Sequence, residues 1–275
     1  MALNRDKMLA AMAVGQRVPI YKASVANQAA GYITSLWGAA GSPMWAQGAI
    51  PGAAATPTDA TAGGILLPDW GSLTGRVYRF APLGVTVGSF MLYDRIAHMG
   101  GLSGTVLTAQ TVNLDVETAK TAGRCRSDYL DVEWYIEIYT DIGTTASNLT
   151  VTYTDVNDSS GKTVVISGFT GASPLNRSGR CVLIVPTDGI QIKSIQSVTL
   201  SASSGTAGSF GVTARVCKAT VGQMLANIQA PGVDVISLGA PMLQTTSCLE
   251  MLVQCSTTST GIIRGNLKIG WVDET

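Results

Sequence analysis

Leu130, Val132, Trp134, Ile136 and Ile138 alternate without a break with Asp131, Glu133, Tyr135, Glu137 and Tyr139. A period of two is the signature of a β-strand, whose successive side chains point to opposite faces. Slipping the register by one residue would move the whole apolar set into water, so the pattern fixes which face meets the core. Trp134 is therefore expected in the core, and Glu133 toward solvent or an interface. Truncating Trp134 to alanine should cost ~3 to 5 kcal/mol of folding stability, whereas Glu133→Ala should change little.

The same period returns through the rest of the chain. Runs of this kind are Val77 to Phe80, Val85 to Tyr93, Val106 to Val116, Leu149 to Tyr153, Thr163 to Ile166, Val182 to Val185, Ile190 to Leu200, Phe210 to Val216 and Val233 to Leu238. Turn-forming clusters at Asn157 to Lys162, Pro186 to Gly189 and Ser203 to Gly208 separate several of them. Short alternating strands punctuated this way predict an all-β protein, an antiparallel β-sandwich of jelly-roll-like kind, over residues 65–275. Cys248 to Cys255 and Ile262 to Val272 flank a Ser/Thr/Gly stretch and read as a final hairpin, and Val221, Met224, Leu225 and Ile228 carry the spacing of one short helix.

Residues 1–64 read differently. Met1 to Gly15 has Arg5 and Lys7 ahead of the apolar run Met8 to Val14, as a signal peptide would. Asp6 and the lack of a clean small-residue cleavage site favour a short amphipathic helix instead. Ser24 precedes Val25, Ala29, Tyr32, Ile33 and Leu36, a helical spacing of about three turns ending near Gly38. From Ala39 to Gly64 the chain is rich in Ala, Gly, Pro and Thr, and Pro43, Pro51 and Pro57 bar a regular helix or central strand. This is expected to be an extended arm. Trp37, Trp45, Ile50 and Trp70 lie in or beside it, and apolar groups of that size are costly to leave in water. They are expected to bind a partner surface, with the arm ordering only against a neighbour.

Composition narrows the function classes. Hydrophobic residues make up 46% of the chain and charged ones 13%, which excludes a disordered protein. Eighteen basic residues balance eighteen acidic ones, and no basic block is present to track a phosphate backbone, so nucleic acid is not the expected partner. No apolar stretch reaches the roughly 18 to 20 residues of a membrane helix. The five cysteines, Cys125, Cys181, Cys217, Cys248 and Cys255, are odd in number and none is spaced as CxxC, which reads as reduced, buried thiols. In a reducing compartment the sequons at Asn148, Asn157 and Asn176 carry no meaning.

Candidate chemistry is sparse. His98 is the sole histidine and stands before a glycine turn with no nucleophile elbow nearby, so a structural histidine is expected. Asp131, Glu133 and Glu137 share a strand face at a spacing that a glycosidase pair could use, yet alternation already explains them. Asp155, Asn157 and Ser159 begin like a calcium loop but continue with Ser160 where glycine is needed, so a hairpin turn is the better account. Gly100, Gly101 and Gly104 lack the Lys-Ser/Thr of a phosphate loop. No cofactor, metal or catalytic residue is expected, and the chain reads as no enzyme. The tryptophans could line a sugar groove, with intersubunit anchoring as the preferred explanation.

The stretch from Gly88 to Thr105, GSFMLYDRIAHMGGLSGT, with its continuation Val106 to Leu114, resembles a segment of structural proteins of tailed bacteriophages. Glu137 to Ala146, Gly205 to Thr213, and Leu36-Trp37 followed by Gly48 to Ala53 are similar to other segments of that group, in the same order. The resemblance implies a virion protein, made in the host cytoplasm, most simply a head decoration or cement protein that binds the major capsid protein or its neighbours. It also implies self-association, with a homotrimer the expected form. The alternative is a tail, fibre or spike component that binds a host-surface glycan, and a glycan depolymerase using the carboxylate strand ranks third.

Overall fold

The computed structural model describes residues 5–42, 45–171, 176–228, 233–234 and 239–273. Pro43 and residues 235–238 of the expected strand Val233 to Leu238 fall outside them. The fold is all-β and every strand pair is antiparallel, with a short N-terminal helix α1 (Arg5–Val14) and a five-residue helix α2 (Glu117–Thr121). The sheets stack in a sandwich-like arrangement, as the alternation predicts, but there are three of them.

The middle sheet has the order β2 (Ile33–Ser35), β14 (Leu249–Cys255), β4 (Gly88–Leu102), β11 (Ser209–Gln223), β6 (Val132–Thr140), β9 (Cys181–Leu183). Its two ends meet: Thr34 bridges Arg180, and the Ser35 amide donates to the Gly179 carbonyl at 2.7 Å. The sheet is thus a closed six-stranded barrel, which leaves no bare edge between its first and last strands.

Two further sheets lie against its outside. One comprises β1 (Gln16–Lys22), β15 (Ile263–Val272), β3 (Thr74–Gly84) and β12 (Val233–Asp234), with β13 (Met242–Leu243) also paired to β3. The other has the order β5 (Gln110–Asp115), β10 (Ile192–Leu200), β7 (Ser147–Asp155), β8 (Lys162–Thr170). Strands β4 and β11 are fifteen residues each and serve both interfaces. Phe90 and Leu92 pack toward Val18, Phe80 and Leu267 of the first sheet, while Ile96 and Leu102 pack with Leu149, Val151 and Ile195 of the second. Trp134, Ile136 and Ile138 of β6 join that second core, Trp134 donating its indole N–H to the Ile192 carbonyl at 3.0 Å.

Several expectations are corrected. The helix from Ser24 to Leu36 is absent: Asn27 and Gly31 take positive φ (59° and 81°), and Ile33–Ser35 pairs with β14 instead. A glycine inside a helix costs about 1 kcal/mol against alanine, and β-branched Ile33 and Thr34 suit a strand, so sheet pairing wins. The helix from Val221 to Ile228 is also absent, because β11 continues to Gln223 with Val221 opposite Phe90, and Asn227 turns the chain at φ 59°. The expected C-terminal hairpin does not form. β14 joins the barrel and β15 the outer sheet, so Leu249 and Leu267 meet across the layer interface rather than side by side. Leu130, expected on the core face, precedes β6 and is 61% exposed.

The described part of residues 1–64 is woven into this body: β1 pairs with β15 and β2 with β14. The extended arm docks on the chain itself. The Gly100 amide donates to the Pro51 carbonyl, Ala55 and His98 exchange amide bonds at 2.9 and 3.0 Å, and the Ile65 amide reaches Leu249. Trp37, Trp45 and Trp70 are 1%, 1% and 5% exposed, inside this chain rather than on a partner, while Ile50 is 46% exposed. The small residues of the arm have a steric reason, since a Cβ on Gly48 would lie 2.3 Å from the Trp37 ring. Gly48→Ala should therefore lower stability by about 1 to 3 kcal/mol in urea unfolding. Gly52→Ala, with open space around it and no positive φ, should stay within about 0.5 kcal/mol of the parent.

Candidate functional site

The polar face of β6 does not meet solvent; it lines the barrel. Tyr135 and Glu137 point inward together with Met91, Tyr93 and Arg95 of β4, Thr213 and Arg215 of β11, Glu250 and Leu252 of β14, Ser35 of β2 and Cys181 of β9, and every one of them is buried. Arg95 and Arg215 stand directly opposite each other in the β4–β11 register. Like charges so placed repel, and two carboxylates resolve the conflict.

Arg95 Nη1 contacts Glu137 Oε2 at 2.7 Å and Glu250 Oε2 at 3.1 Å. Arg215 Nη2 contacts the same Glu137 oxygen at 2.6 Å, and its Nε contacts Glu250 Oε1 at 2.6 Å. The four side chains form a closed, neutral ring of alternating charge, each at most 1% exposed. Burial by itself pushes the Glu137 carboxyl up, and Arg95 and Arg215 together reverse this and hold it below the usual carboxylate value.

The remaining guanidinium donors are also used. Arg95 Nε donates to Nδ1 of His98 at 3.0 Å and its Nη2 to the Tyr139 hydroxyl at 2.6 Å, and Arg215 Nη1 donates to Thr213 Oγ1. Trp37 lies over the Arg95 guanidinium at 4.2 Å and meets the His98 ring edge-on at 5.5 Å. Trp37, His98 and Tyr139 thus close this end of the barrel, and Gly48 and Gly63 of the arm lie against the Trp37 ring. At the other end Glu133 accepts hydrogen bonds from the hydroxyls of Tyr93 (2.9 Å) and Tyr135 (2.5 Å), so it is half-buried and engaged rather than facing solvent freely.

A second buried pair fastens the arm. Arg124, after α2, grips Asp94 with two bonds of 2.5 and 3.2 Å, and donates to the carbonyls of Pro57 (2.6 Å) and Arg95 (2.8 Å). Asp94 accepts in addition from the Ser247 hydroxyl and the Cys248 amide, both at 2.9 Å. Lys22, 1% exposed, donates to the carbonyls of Ala39 and Ala46 at 3.2 and 3.1 Å and lies over Trp45, and burial lowers it to about 8.

Chemically the arrangement is a structural lock. The cavity that reaches Glu137, lined also by Ser35, Tyr139 and Ser178, has a volume of about 70 Å³, against the roughly 300 to 1,000 Å³ of ligand pockets. Burial raises the thiols, Cys125 to about 11 and Cys181 to about 12, away from the reactive thiolate form. Asp131 accepts from the Arg126 amide outside the barrel, apart from Glu133 and Glu137. Asp155 accepts the amides of Asn157 and Ser159 at 2.8 and 3.0 Å in the turn between β7 and β8, as expected for a hairpin. Of the residues singled out from the sequence, the barrel brings together His98, Glu137 and Trp37. It adds Arg215 and Glu250, each a lone charge inside an apolar run, the adjacent pair Asp94 and Arg95 inside another, and Arg124, which no sequence pattern marks.

No protein-family model matches the chain, and no curated protein matches it. Among solved structures it is similar to the VP2 subviral particle of infectious bursal disease virus, at 7% identity over 94% of this chain and 81% of that chain, with a TM-score of 0.19. It is similar also to a mutant VP2 protein of the same virus from T=1 particles, at 12% identity over 94% and 62%, with a TM-score of 0.18. Superposition at that level transfers neither a fold nor a role.

His98 provides a test of the lock. Burial, followed by the repulsion of Arg95, lowers its pKa from 6.5 to about 3. Below pH 6.5 the unfolded chain takes up a proton that the folded chain refuses, so stability falls with acidification across this window, by about 1.4 kcal/mol per pH unit. Between pH 6.5 and 5 most carboxylates stay ionised, and this is the only histidine. Denaturation midpoints should show that slope in the parent and lose it in His98→Asn; a flat parent profile contradicts the buried neutral imidazole.

Proposed function

We propose that this chain is a non-enzymatic structural protein of a virion, and within that class a capsid decoration or cement protein of a tailed bacteriophage. The observation that carries the reading is the loop after β11, which holds Met224, Leu225 and Ile228 in solvent at 86%, 60% and 56% exposure. Val85 beside it is 42% exposed. Hydrogen bonds tie residues 223–227 to the end of β3: the Gln223 side-chain amide donates to the carbonyls of Gly84 (2.6 Å) and Leu225 (2.8 Å), its oxygen accepts from the Gly84 amide, and the Asn227 amide returns to Gly84. A preorganised apolar knob loses little chain entropy on docking, which is what a shell-binding contact needs.

The interior supports the same reading. Its charges neutralise one another and its one histidine is held neutral, so the reactive groups of the chain are consumed in holding it together. The stretch that resembles phage structural proteins covers β4, which carries Arg95 of this lock, and runs on into β5 of an outer sheet. The glycan-binding alternative has less support: Trp37, Trp45, Trp70 and Trp134 are buried, Trp271 stacks on Trp70 at 6.1 Å, and exposed Tyr32 is covered by Arg180 at 3.7 Å. The proposed partners are the major capsid protein and two further copies of this chain, in the virion and, before that, in the host cytoplasm.

Electron microscopy of purified particles carrying a tagged copy should place the label on the head shell, and light scattering should give three times the chain mass. Label on the tail overturns the decoration role. The triple variant Met224→Ser, Leu225→Ser, Ile228→Ser should fold with an unchanged circular dichroism spectrum and lose at least about tenfold of its occupancy on particles. Unchanged occupancy would remove the knob from the account.

A further inference from the structure

One row of the outer sheet breaks the rule that cross-strand neighbours should not carry like charge. In register, Arg17 of β1 faces Lys268 of β15, and Lys268 faces Arg79 of β3. The core residues Val18, Leu267 and Phe80 alternate with them, so all three cations project from the outer face. Arg17 and Arg79 are exposed and Lys268 is half-buried. Together with Asn266 they line one shallow depression. Arg264, two residues along β15, adds a fourth cation on the same face, over Tyr21 at 6.0 Å.

Among the described residues no ion pair joins Arg17, Arg79, Lys268 or Arg264 to an acid, although the exposed Arg126 and the half-buried Lys193 have carboxylate partners. The register continues the row to Asp234 of β12, the one acid at its far end. The C-terminal end of α1 lies close to Lys268, within 3.1 Å of where a Cβ on Gly15 would stand, and a helix C-terminus favours a cation. That accounts for Lys268, and Arg79 has Asp234 across from it in the register, but neither explains Arg17 or the run of three adjacent cations.

We propose that this row is a recognition site for an acidic segment of a partner protein, whose carboxylates supply the ion pairs that these cations lack among the described residues. Neighbouring strands lie ~4.8 Å apart, so the three cations span roughly 10 Å, the reach of two or three carboxylates on a short peptide. A nucleic acid fits less well, since such binding rests on a longer track of about 6 to 10 phosphate contacts and the chain has zero net charge. The site is independent of the virion reading, because its test needs no particle.

Hexaglutamate is the probe, measured by titration calorimetry on the full chain at low salt. The parent should bind it, and the double variant Arg17→Gln, Arg79→Gln should bind at least about tenfold more weakly. The control pair Arg126→Gln, Lys193→Gln removes the same net charge elsewhere and should bind as the parent does. Lys268→Met keeps the stem and removes the central charge, and it should bind hexaglutamate more weakly than the parent. The proposal is overturned if the parent does not bind hexaglutamate, or if the control pair loses as much affinity as the double variant. It is equally overturned if inorganic phosphate or a twelve-nucleotide single strand binds as tightly as the peptide.

Discussion

Two arginines facing each other inside a closed barrel are the constraint from which the rest of the structure follows. Arg95 and Arg215 are fully buried and adjacent across β4 and β11. Each has to find anionic partners within the same space, because an unpaired buried charge costs several kcal/mol. Glu137 comes from the strand on one side of the pair and Glu250 from the strand on the other, so β6, β11, β4 and β14 must lie side by side for the ring to close. A polar interior of this kind gains little from hydrophobic burial, and the apolar layers lie outside it, against the two flanking sheets. The arm then has a definite task. It carries Trp37 onto the Arg95 guanidinium and keeps water from the ring, while Arg124 and Lys22 hold the arm by its own carbonyls.

The sequence made the strands legible wherever one face was apolar and the other polar, as in β6, β7 and β10. It also marked residues 39–64 as extended. Three things stayed hidden for physical reasons. Alternation tells two faces apart but not whether the polar one meets water, so Glu137 read as an outward carboxylate while the barrel turns it inward. Helical spacing in 24–36 and 221–228 lost to sheet pairing, because a few apolar residues at i, i+3 and i+4 satisfy either pattern when Asn27, Gly31 or Asn227 must take positive φ. Partner choice is non-local: β14 and β15 are adjacent in sequence and belong to different sheets. The sequence signal for this was charge inside an apolar strand, Arg95 beside Asp94 in MLYDRIA, Arg215 alone in VTARVC and Glu250 alone in CLEML, two ring cations and one ring anion that Glu137 balances.

This use of charge also shapes the surface. Lys22, Asp94, Arg95, Arg124, Glu137, Asp155, Arg180, Arg215 and Glu250 are all buried, so a chain already poor in charge shows still less of it outside. Weak electrostatic repulsion between copies favours association, and the features that remain on the surface are distinct in kind. An apolar knob stands at the end of β11, and a line of cations with no ion pair among the described residues crosses the outer sheet. A protein made to be covered by partners is consistent with both.

The ring itself is open to one direct measurement, equilibrium unfolding of Glu137→Gln beside the parent. The substitution keeps size and shape and removes one of the ring's two negative charges, leaving Arg95 and Arg215 with an uncompensated positive charge. The account predicts a loss of about 3 to 5 kcal/mol with an unchanged denaturant slope. A loss below about 1 kcal/mol, the effect of removing an exposed ion-pair partner, would contradict the placement of Glu137 inside the barrel and with it the lock.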